Sequence, residues 1–276
     1  MTYSLFCCVA ALALLTACSG PSKRFDRQAS EYGFQKVERT GNGYTHTVYS
    51  NLPSERSSLL HVYLGGDGTP WIDGKIIAWD PTPRNPVGLR LMAQDEVSSI
   101  YLGRPCYHGH SDSPSCSHAL WTSERYSKEV IESMAAVLRE IIEQEQYREL
   151  VFIGFSGGGG LAMFLADIFP QTRQVVTLAG NLDIEAWVAL HNYDELTGSL
   201  NPRSMAPLPE RIQQYHLAGG KDANIPAMMI QGALGRQKNS QFILFEDFTH
   251  GCCWETIWKS MLACLHKACE WREEGR

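Results

Sequence analysis

The stretch Leu150-Val-Phe-Ile-Gly-Phe-Ser-Gly-Gly-Gly-Gly-Leu161 decides how the rest of the chain is interpreted. A short apolar run that favours a buried β-strand leads into a glycine-rich turn, and an apolar helical segment follows at once. Strand, turn and helix in this order predict a nucleophile elbow, in which a sharply turned serine exposes its hydroxyl at the sheet edge. The helix N-terminus then offers free N–H groups to a developing anion. We therefore predict that Ser156 is a nucleophile, whereas the structural alternative is a simple glycine-rich turn.

The composition fits one globular α/β domain. The chain has 276 residues, of which 44% are hydrophobic and 20% charged. The net charge is −6 and no basic stripe is present, which argues against a nucleic-acid partner. Strand and helix patterns alternate after an initial hairpin at 35–49, so we predict a mostly parallel central sheet with helices on both faces and an antiparallel N-terminal hairpin. A proline-containing segment at about 182–210 is expected to form a cap or lid.

The first 17 residues predict an export signal. An uncharged apolar run at 5–17 ends in Leu15-Thr-Ala-Cys18, which resembles a bacterial lipobox. Cys18 would become the lipidated first residue and hold the domain on a membrane surface, and the following Ser19 resembles the outer-membrane sorting pattern. We expect an outer-membrane lipoprotein facing the periplasm, with a tether at 18–33 and the folded domain at 34–276. Because residues 1–5 contain no Lys or Arg, plain secretion and an uncleaved anchor stay open.

Cysteine usage agrees with export to an oxidising compartment. Of nine cysteines, six follow Cys18, and an even number suggests disulfides. Cys106 and Cys116 bracket a loop rich in Gly, Ser and Pro, so we predict that they pair. The rival interpretation is a zinc site that includes the neighbouring histidines; its spacings do not match a tetrahedral finger, and export favours oxidation of the cysteines. The sequence leaves open the pairing of the last four cysteines, Cys252, Cys253, Cys264 and Cys269.

A serine nucleophile needs a histidine base that is oriented by a carboxylate. In an elbow-type fold the chain order is serine, acid, histidine, each on a loop after a strand. Asp222 follows a predicted strand at 211–218, and His250 follows another at 241–245. These two residues are therefore the predicted acid and base, although Asp222 could also cap the next helix. The alternatives that the sequence allows are Asp194 and Asp183 for the acid and His191 for the base.

The oxyanion of an acyl-transfer intermediate needs two N–H donors. Gly157, directly after the serine, is the first predicted donor. The second should come from Gly65-Gly-Asp-Gly68 after the strand at 58–64, where glycine lets the backbone approach a substrate closely. Gly66 and Asp67 are equally suitable there.

Taken together, Gly154-Phe-Ser-Gly-Gly158, the 65–68 loop, Asp222 and His250 resemble the α/β-hydrolase superfamily over most of residues 34–272. Finer motifs resemble a group of bacterial exported, lipoprotein-type serine hydrolases; they are His61-Val-Tyr-Leu-Gly-Gly-Asp-Gly68, Asp80-Pro-Thr-Pro-Arg-Asn-Pro86, Arg104-Pro-Cys-Tyr107, Trp121-Thr122 and Ala179-Gly-Asn-Leu-Asp183. The chain departs from common esterases in lacking a His-Gly-Gly-Gly oxyanion motif, and Asp67 is an unusual acidic residue at that place.

The leading functional hypothesis is a cell-envelope serine hydrolase that acts on a small-molecule ester without a metal or organic cofactor. The alternatives are a peptidase or acyltransferase on the same residues, and a non-catalytic binding lipoprotein. Two arginines, Arg84 and Arg104, are candidates to bind an anionic substrate group or to pair with acids near loops. Three tryptophans could line the cleft or simply cover the core: Trp71, Trp79 and Trp187.

Overall fold

An eight-stranded sheet organises the domain, and the computed structural model describes residues 20–53 and 57–267 of the chain. The strand order is β1-β2-β6-β3-β7-β8-β9-β10. The strands are β1 (Gln35–Gly41), β2 (Tyr44–Asn51), β3 (Leu59–Leu64), β6 (Ser99–Leu102), β7 (Glu149–Phe155), β8 (Thr172–Leu178), β9 (Gln213–Gly219) and β10 (Ser240–Phe245). From β6 to β10 all neighbours are parallel, whereas β1 pairs with β2, and β2 with β6, in antiparallel fashion. The predicted fold class is therefore confirmed.

Helices cover both faces because the central strands are apolar on both sides. The helices are α1 (Pro21–Glu31), α2 (Val87–Met92), α3 (Lys128–Glu145), α4 (Gly157–Ile168), α5 (Ile184–His191), α6 (Ala227–Ala233) and α7 (Trp254–Lys267). One core cluster gathers apolar side chains of α3, α4, α5 and α6 with one face of the sheet. The second cluster joins α1, α2 and α7 to the opposite face. None of the helices within the described ranges is long and apolar enough to cross a bilayer.

The N-terminal segment requires a correction. Residues 18–33 were expected to form a tether, but α1 occupies 21–31 and packs on the sheet. Phe25 and Ala29, one helical turn apart, are buried, and the Phe25 ring contacts Tyr49 and Tyr101. Only two apolar positions hold this polar helix to the domain, which is why composition alone suggested a linker. The predicted signal, 1–17, and Cys18 lie outside the described residues.

A small hairpin interrupts the connection between β3 and α2. Its strands are β4 (Trp71–Ile72) and β5 (Ile76–Ile77), which pair antiparallel. The backbone closes it at the base, since Thr69 N donates to Pro81 O at 2.9 Å and Ala78 N to Pro70 O at 2.8 Å. We call residues 69–81 the rim hairpin. It extends directly from the 65–68 loop.

Parallel strands in this order bring their carboxyl ends to one edge of the sheet. The 65–68 loop follows β3, Ser156 follows β7, Asp222 follows β9 and His250 follows β10. Because β3, β7, β8, β9 and β10 are consecutive neighbours, all four segments meet above this edge.

Candidate active site

Ser156 lies in a strained turn between β7 and α4. Its φ is 54° and ψ is −125°, a conformation that is costly for a residue with a side chain and that tends to persist at functional sites. The turn is held from both sides, because Ser156 N donates to Leu178 O at 2.9 Å and Asn181 N donates to Ser156 O at 2.9 Å. The predicted elbow geometry is therefore present.

Close approach of other segments explains the glycines around the serine. A side-chain methyl on Gly157 would overlap the Asp67 carboxylate and the Tyr126 hydroxyl. One on Gly158 would overlap the carbonyls of Leu64 and Gly65 at the end of β3. The first turn of α4 therefore packs on the backbone of the neighbouring loop at van der Waals distance, which only glycine permits.

Ser156, His250 and Asp222 form one hydrogen-bonded chain. The Ser156 hydroxyl lies 3.0 Å from His250 Nε2, and His250 Nδ1 lies 2.8 Å from Asp222 Oδ2. Nδ1 donates to the carboxylate, which leaves Nε2 as the acceptor for the serine proton. Two of the alternatives for acid and base are engaged elsewhere: Asp183 caps α5 and pairs with Arg203, and His191 Nε2 contacts Asn224 O at 2.7 Å. The third, Asp194, lines the cavity, but it is Asp222 that contacts His250.

The Asp222 carboxylate is fixed as well as buried. Its second oxygen, Oδ1, accepts from Asn224 N at 2.8 Å and from Ile225 N at 2.9 Å. Asp222 therefore holds the turn before α6 with one oxygen and His250 with the other. The capping and acid interpretations of this residue are compatible.

A fourth polar side chain reaches the histidine. Asn224 Nδ2 lies 3.1 Å from His250 Nε2, the same nitrogen that faces Ser156. Trp187 Nε1 donates to Asn224 Oδ1 at 3.2 Å, which sets the amide so that Nδ2 points to the histidine. The helix α5, inside the segment predicted as a cap, thus fastens the residue that contacts the base. No sequence pattern singled out Asn224.

The 65–68 loop lies against the serine. A methyl group on Gly66 would stand 3.1 Å from Ser156 Cβ, so the loop backbone and the nucleophile are in contact. Tyr107 donates its hydroxyl to Asp67 O at 2.9 Å, and Gly68 has a φ of 70° that favours glycine. The backbone of Gly66 therefore lies beside Ser156, and Asp67 follows it directly.

The Asp67 side chain forms an ion cluster beside the cavity. Arg104 Nη2 donates to Oδ1 at 2.8 Å and Arg125 Nη1 to Oδ2 at 3.1 Å, while the Tyr126 hydroxyl lies 2.6 Å from both oxygens. Burial by itself raises the pKa of Asp67, but the two guanidinium charges and the Tyr126 hydrogen bond outweigh it and lower that pKa. Asp67 is thus ionised and binds the loop to the segments at 104–107 and 122–126.

Arg104 is therefore a structural partner of Asp67. Its side chain is buried, and it is absent from the cavity wall. Arg84, by contrast, is exposed and lines the cavity. Of the three tryptophans, Trp71 and Trp187 line it, and Trp79 points to solvent from the rim hairpin.

The cavity above Ser156 measures about 1070 Å³. Its walls come from the 65–68 loop, the rim hairpin, the segment after α5 and the turn before α6. Apolar and charged groups both contribute; they include Trp71, Phe155, Trp187, Tyr193, Lys75, Arg84, Asp194 and Glu195. The space is large enough for a drug-sized substrate.

Two disulfides flank the site. Cys106 bonds to Cys116 across the loop that carries Tyr107, so its cysteines are not available as zinc ligands. Cys252 bonds to its neighbour Cys253, two residues after His250. Cys264 is also oxidised, and Cys269 lies outside the described residues. Among the described residues no cluster of His, Cys, Asp and Glu could hold a metal ion.

Comparison with solved structures identifies the architecture. An α/β serine hydrolase homologue from Coxiella burnetii superposes with a TM-score of 0.58 at 14% identity, covering 86% of this chain and 97% of that one. A Pyrococcus furiosus esterase gives 0.61 at 13%, covering 86% and 91%. The protein has the α/β-hydrolase fold. An acylaminoacyl peptidase from Pyrococcus horikoshii gives 0.62 at 14%, covering 88% of this chain and 43% of that one.

No protein-family model and no curated protein sequence matches the chain. The similarity is thus one of fold, and the α/β-hydrolase neighbours include both an esterase and a peptidase. Within this α/β-hydrolase fold, activity must be argued from the residues at the sheet edge.

Proposed function

We propose that the protein is a serine hydrolase that cleaves carboxylic esters. The observation that carries the proposal is the continuous chain from the Ser156 hydroxyl through His250 to Asp222, with distances of 3.0 and 2.8 Å. A nucleophile, a base and an orienting acid at hydrogen-bond distance are the elements that acyl transfer requires. The cavity that opens above the serine supplies room for an ester.

The reaction follows from the positions of these groups. Ser156 Oγ attacks the ester carbonyl while His250 Nε2 takes its proton, and Asp222 stabilises the imidazolium. The developing oxyanion is directed to the N–H of Gly157 and to a backbone N–H of the 65–68 loop. Collapse of the tetrahedral intermediate breaks the ester bond, and the leaving alkoxide takes the proton from His250. Water, deprotonated by His250, then attacks the acyl-serine and releases the acid.

The fixed geometry of the loop supports this assignment. The Asp67 ion cluster and the Tyr107 hydrogen bond hold the 65–68 backbone before any substrate binds. Preorganised donors are more effective than donors that must rearrange, because no energy is spent on reorientation as the charge develops. We also propose that Cys18 carries a lipid and that the enzyme works at the cell envelope.

A serine-directed fluorophosphonate tests the proposal. The wild-type protein should be labelled at Ser156 at neutral pH and should hydrolyse short p-nitrophenyl esters, whereas Ser156→Ala should lose both activities. Ser123→Ala, at another hydroxyl on the cavity wall, is the matched control and should still react. Equal ester hydrolysis by wild type and Ser156→Ala would contradict the proposal. Anilide substrates measured in parallel distinguish a peptidase from an esterase.

A further inference from the structure

The mouth of the cavity carries an unusual concentration of exposed apolar side chains. In the described part of the chain, six of the eleven exposed large apolar residues lie on the rim hairpin or on α5 and the residues after it. These six are Trp71, Ile72, Ile76, Trp79, Leu190 and Tyr193. Exposed apolar groups that are gathered at one place, rather than scattered, indicate a contact surface.

The rim hairpin carries the two most exposed residues of this surface. Ile76 is 64% exposed and Trp79 is 72% exposed. Neither residue lines the cavity, so their exposure does not serve direct contact with a bound ester. Tryptophan at such a position is typical of proteins that contact the interface between lipid and water.

The start of the folded chain lies at the same place. Ser22, near the beginning of α1, donates from its N to Asp80 Oδ2 at 3.0 Å and from its Oγ at 2.6 Å, and Asp80 follows Trp79 directly. Two peptide units join Gly20 to Cys18, so these residues are at most about 7 Å apart. The described chain therefore begins two residues before a contact with the rim hairpin, and the proposed lipid site at Cys18 precedes that start by two residues.

We infer that the rim hairpin and the residues at α5 lie on a lipid layer, so that the cavity opens toward it and receives an amphiphilic ester from the layer. This inference rests on the proposed hydrolase function for the fate of the ester. A lipid on Cys18 would bring the start of α1, and with it the rim hairpin, to the membrane surface. The rim hairpin begins at residue 69, directly after the 65–68 loop that carries a proposed oxyanion donor.

Sedimentation with vesicles tests the surface apart from the anchor. The chain from Ser19 onward, which lacks both Cys18 and the apolar run at 5–17, is mixed with phosphatidylethanolamine–phosphatidylglycerol vesicles, so that neither a lipid nor the predicted signal can explain binding. A second change, Ile76→Ser with Trp79→Ser, should weaken vesicle binding at least tenfold. The matched control, Val37→Ser with Leu52→Ser, alters two exposed apolar residues outside the rim and should bind as the parent does.

Two substrates separate this inference from the proposed function. Hydrolysis of a long-chain ester incorporated in vesicles should fall at least tenfold in the Ile76→Ser/Trp79→Ser protein, while kcat/KM for dissolved p-nitrophenyl butyrate should stay within twofold. Unchanged vesicle binding and vesicle hydrolysis overturn the inference, and so does an equal loss on both substrates. The inference is also overturned if the parent protein is a dimer and the rim variant is a monomer, because a second copy of the chain would then cover this surface. If no ester is cleaved by any variant, the proposed function fails, but vesicle sedimentation still decides the lipid surface.

Discussion

Replacement of Asp67 by asparagine should damage both stability and activity, although Asp67 need not touch substrate. The change keeps the shape of the side chain and removes its charge. Arg104 and Arg125 then face an amide, and both guanidinium groups are almost completely buried. A buried cation without its partner cannot recover the hydration that it lost on folding.

The size of the effect follows from the burial of the cluster. Breaking a buried ion pair typically costs about 3–5 kcal/mol. The Asp67 side chain keeps 15% of its surface exposed, so we expect the lower end, about 3 kcal/mol. For a chain of this length that loss lowers Tm by roughly 6–12 °C. Movement of the 65–68 loop should reduce kcat/KM at least about tenfold, which is less than complete removal of one oxyanion donor.

Thermal unfolding and ester hydrolysis, measured on the same preparation, give the two readouts. Because the pKa of Asp67 is lowered, its contribution is complete above the ordinary value of 3.8 and is lost as pH falls below it. The difference in Tm between wild type and Asp67→Asn should therefore persist at pH 5 and shrink below about pH 3.8. The control Asp247→Asn removes an exposed pair with Lys221 and should leave both readouts unchanged.

Wild-type behaviour of the Asp67→Asn protein would refute the role assigned to the ion cluster. If Asp67→Asn melts within about 2 °C of wild type and hydrolyses esters at the wild-type rate, the ion cluster neither stabilises the domain nor positions the loop. A protein that loses stability but keeps kcat/KM would assign the cluster to folding alone.

Three further changes probe the site and its surroundings. Asn224→Asp places a carboxylate 3.1 Å from His250 Nε2, and the acidic limb of the kcat/KM profile should move up by about one pH unit. Asn224→Ala removes only a neutral donor to Nε2 and should move that limb by much less. Burial lowers the pKa of three histidines, to about 4, 3 and 3 for His46, His108 and His216. As pH falls, the unfolded state binds protons at these histidines before the folded state does. The free energy of unfolding should therefore fall between pH 6.5 and pH 4, by up to about 1.4 kcal/mol per pH unit for each histidine. A urea midpoint that stays constant over this range would contradict their burial. Replacing Cys106 and Cys116 together by serine should cost about 2–3 kcal/mol through loop entropy, and an unchanged Tm would show that the loop is held by other contacts.

Local sequence signals were sufficient to predict the sheet, the tight turn at Ser156 and the loops that carry Asp222 and His250. β7, the turn at Ser156 and α4 are adjacent in the chain, so the strand pattern, the glycines and the apolar helix specify that turn directly. Asp222 and His250 were accessible because each follows a recognisable strand, and parallel strands place such loops at one edge.

Contacts between segments that are distant along the chain could be recognised only in the tertiary structure. Asp67 was recognised as unusual, but its partners are 37 to 59 residues away along the chain, and no pattern links them. Asn224 is polar in an ordinary turn, and only Trp187, on α5, orients it toward His250. The helix α1 was not predicted because its largest buried side chain, Phe25, packs on aromatic rings of β2 and β6 that only the fold brings beside it.

The turn at Ser156 shows most directly which properties the sequence determined and which the tertiary structure determined. The sequence by itself determined that Ser156 stands at a turn that must be tight, since periodicity and glycine content act through the local backbone. The groups that pack against these glycines were determined only by the tertiary structure, which brings β3, the 65–68 loop and Tyr126 beside α4. Local conformational preference is encoded within a few residues, whereas the surface against which Gly157 and Gly158 pack is created by the fold as a whole.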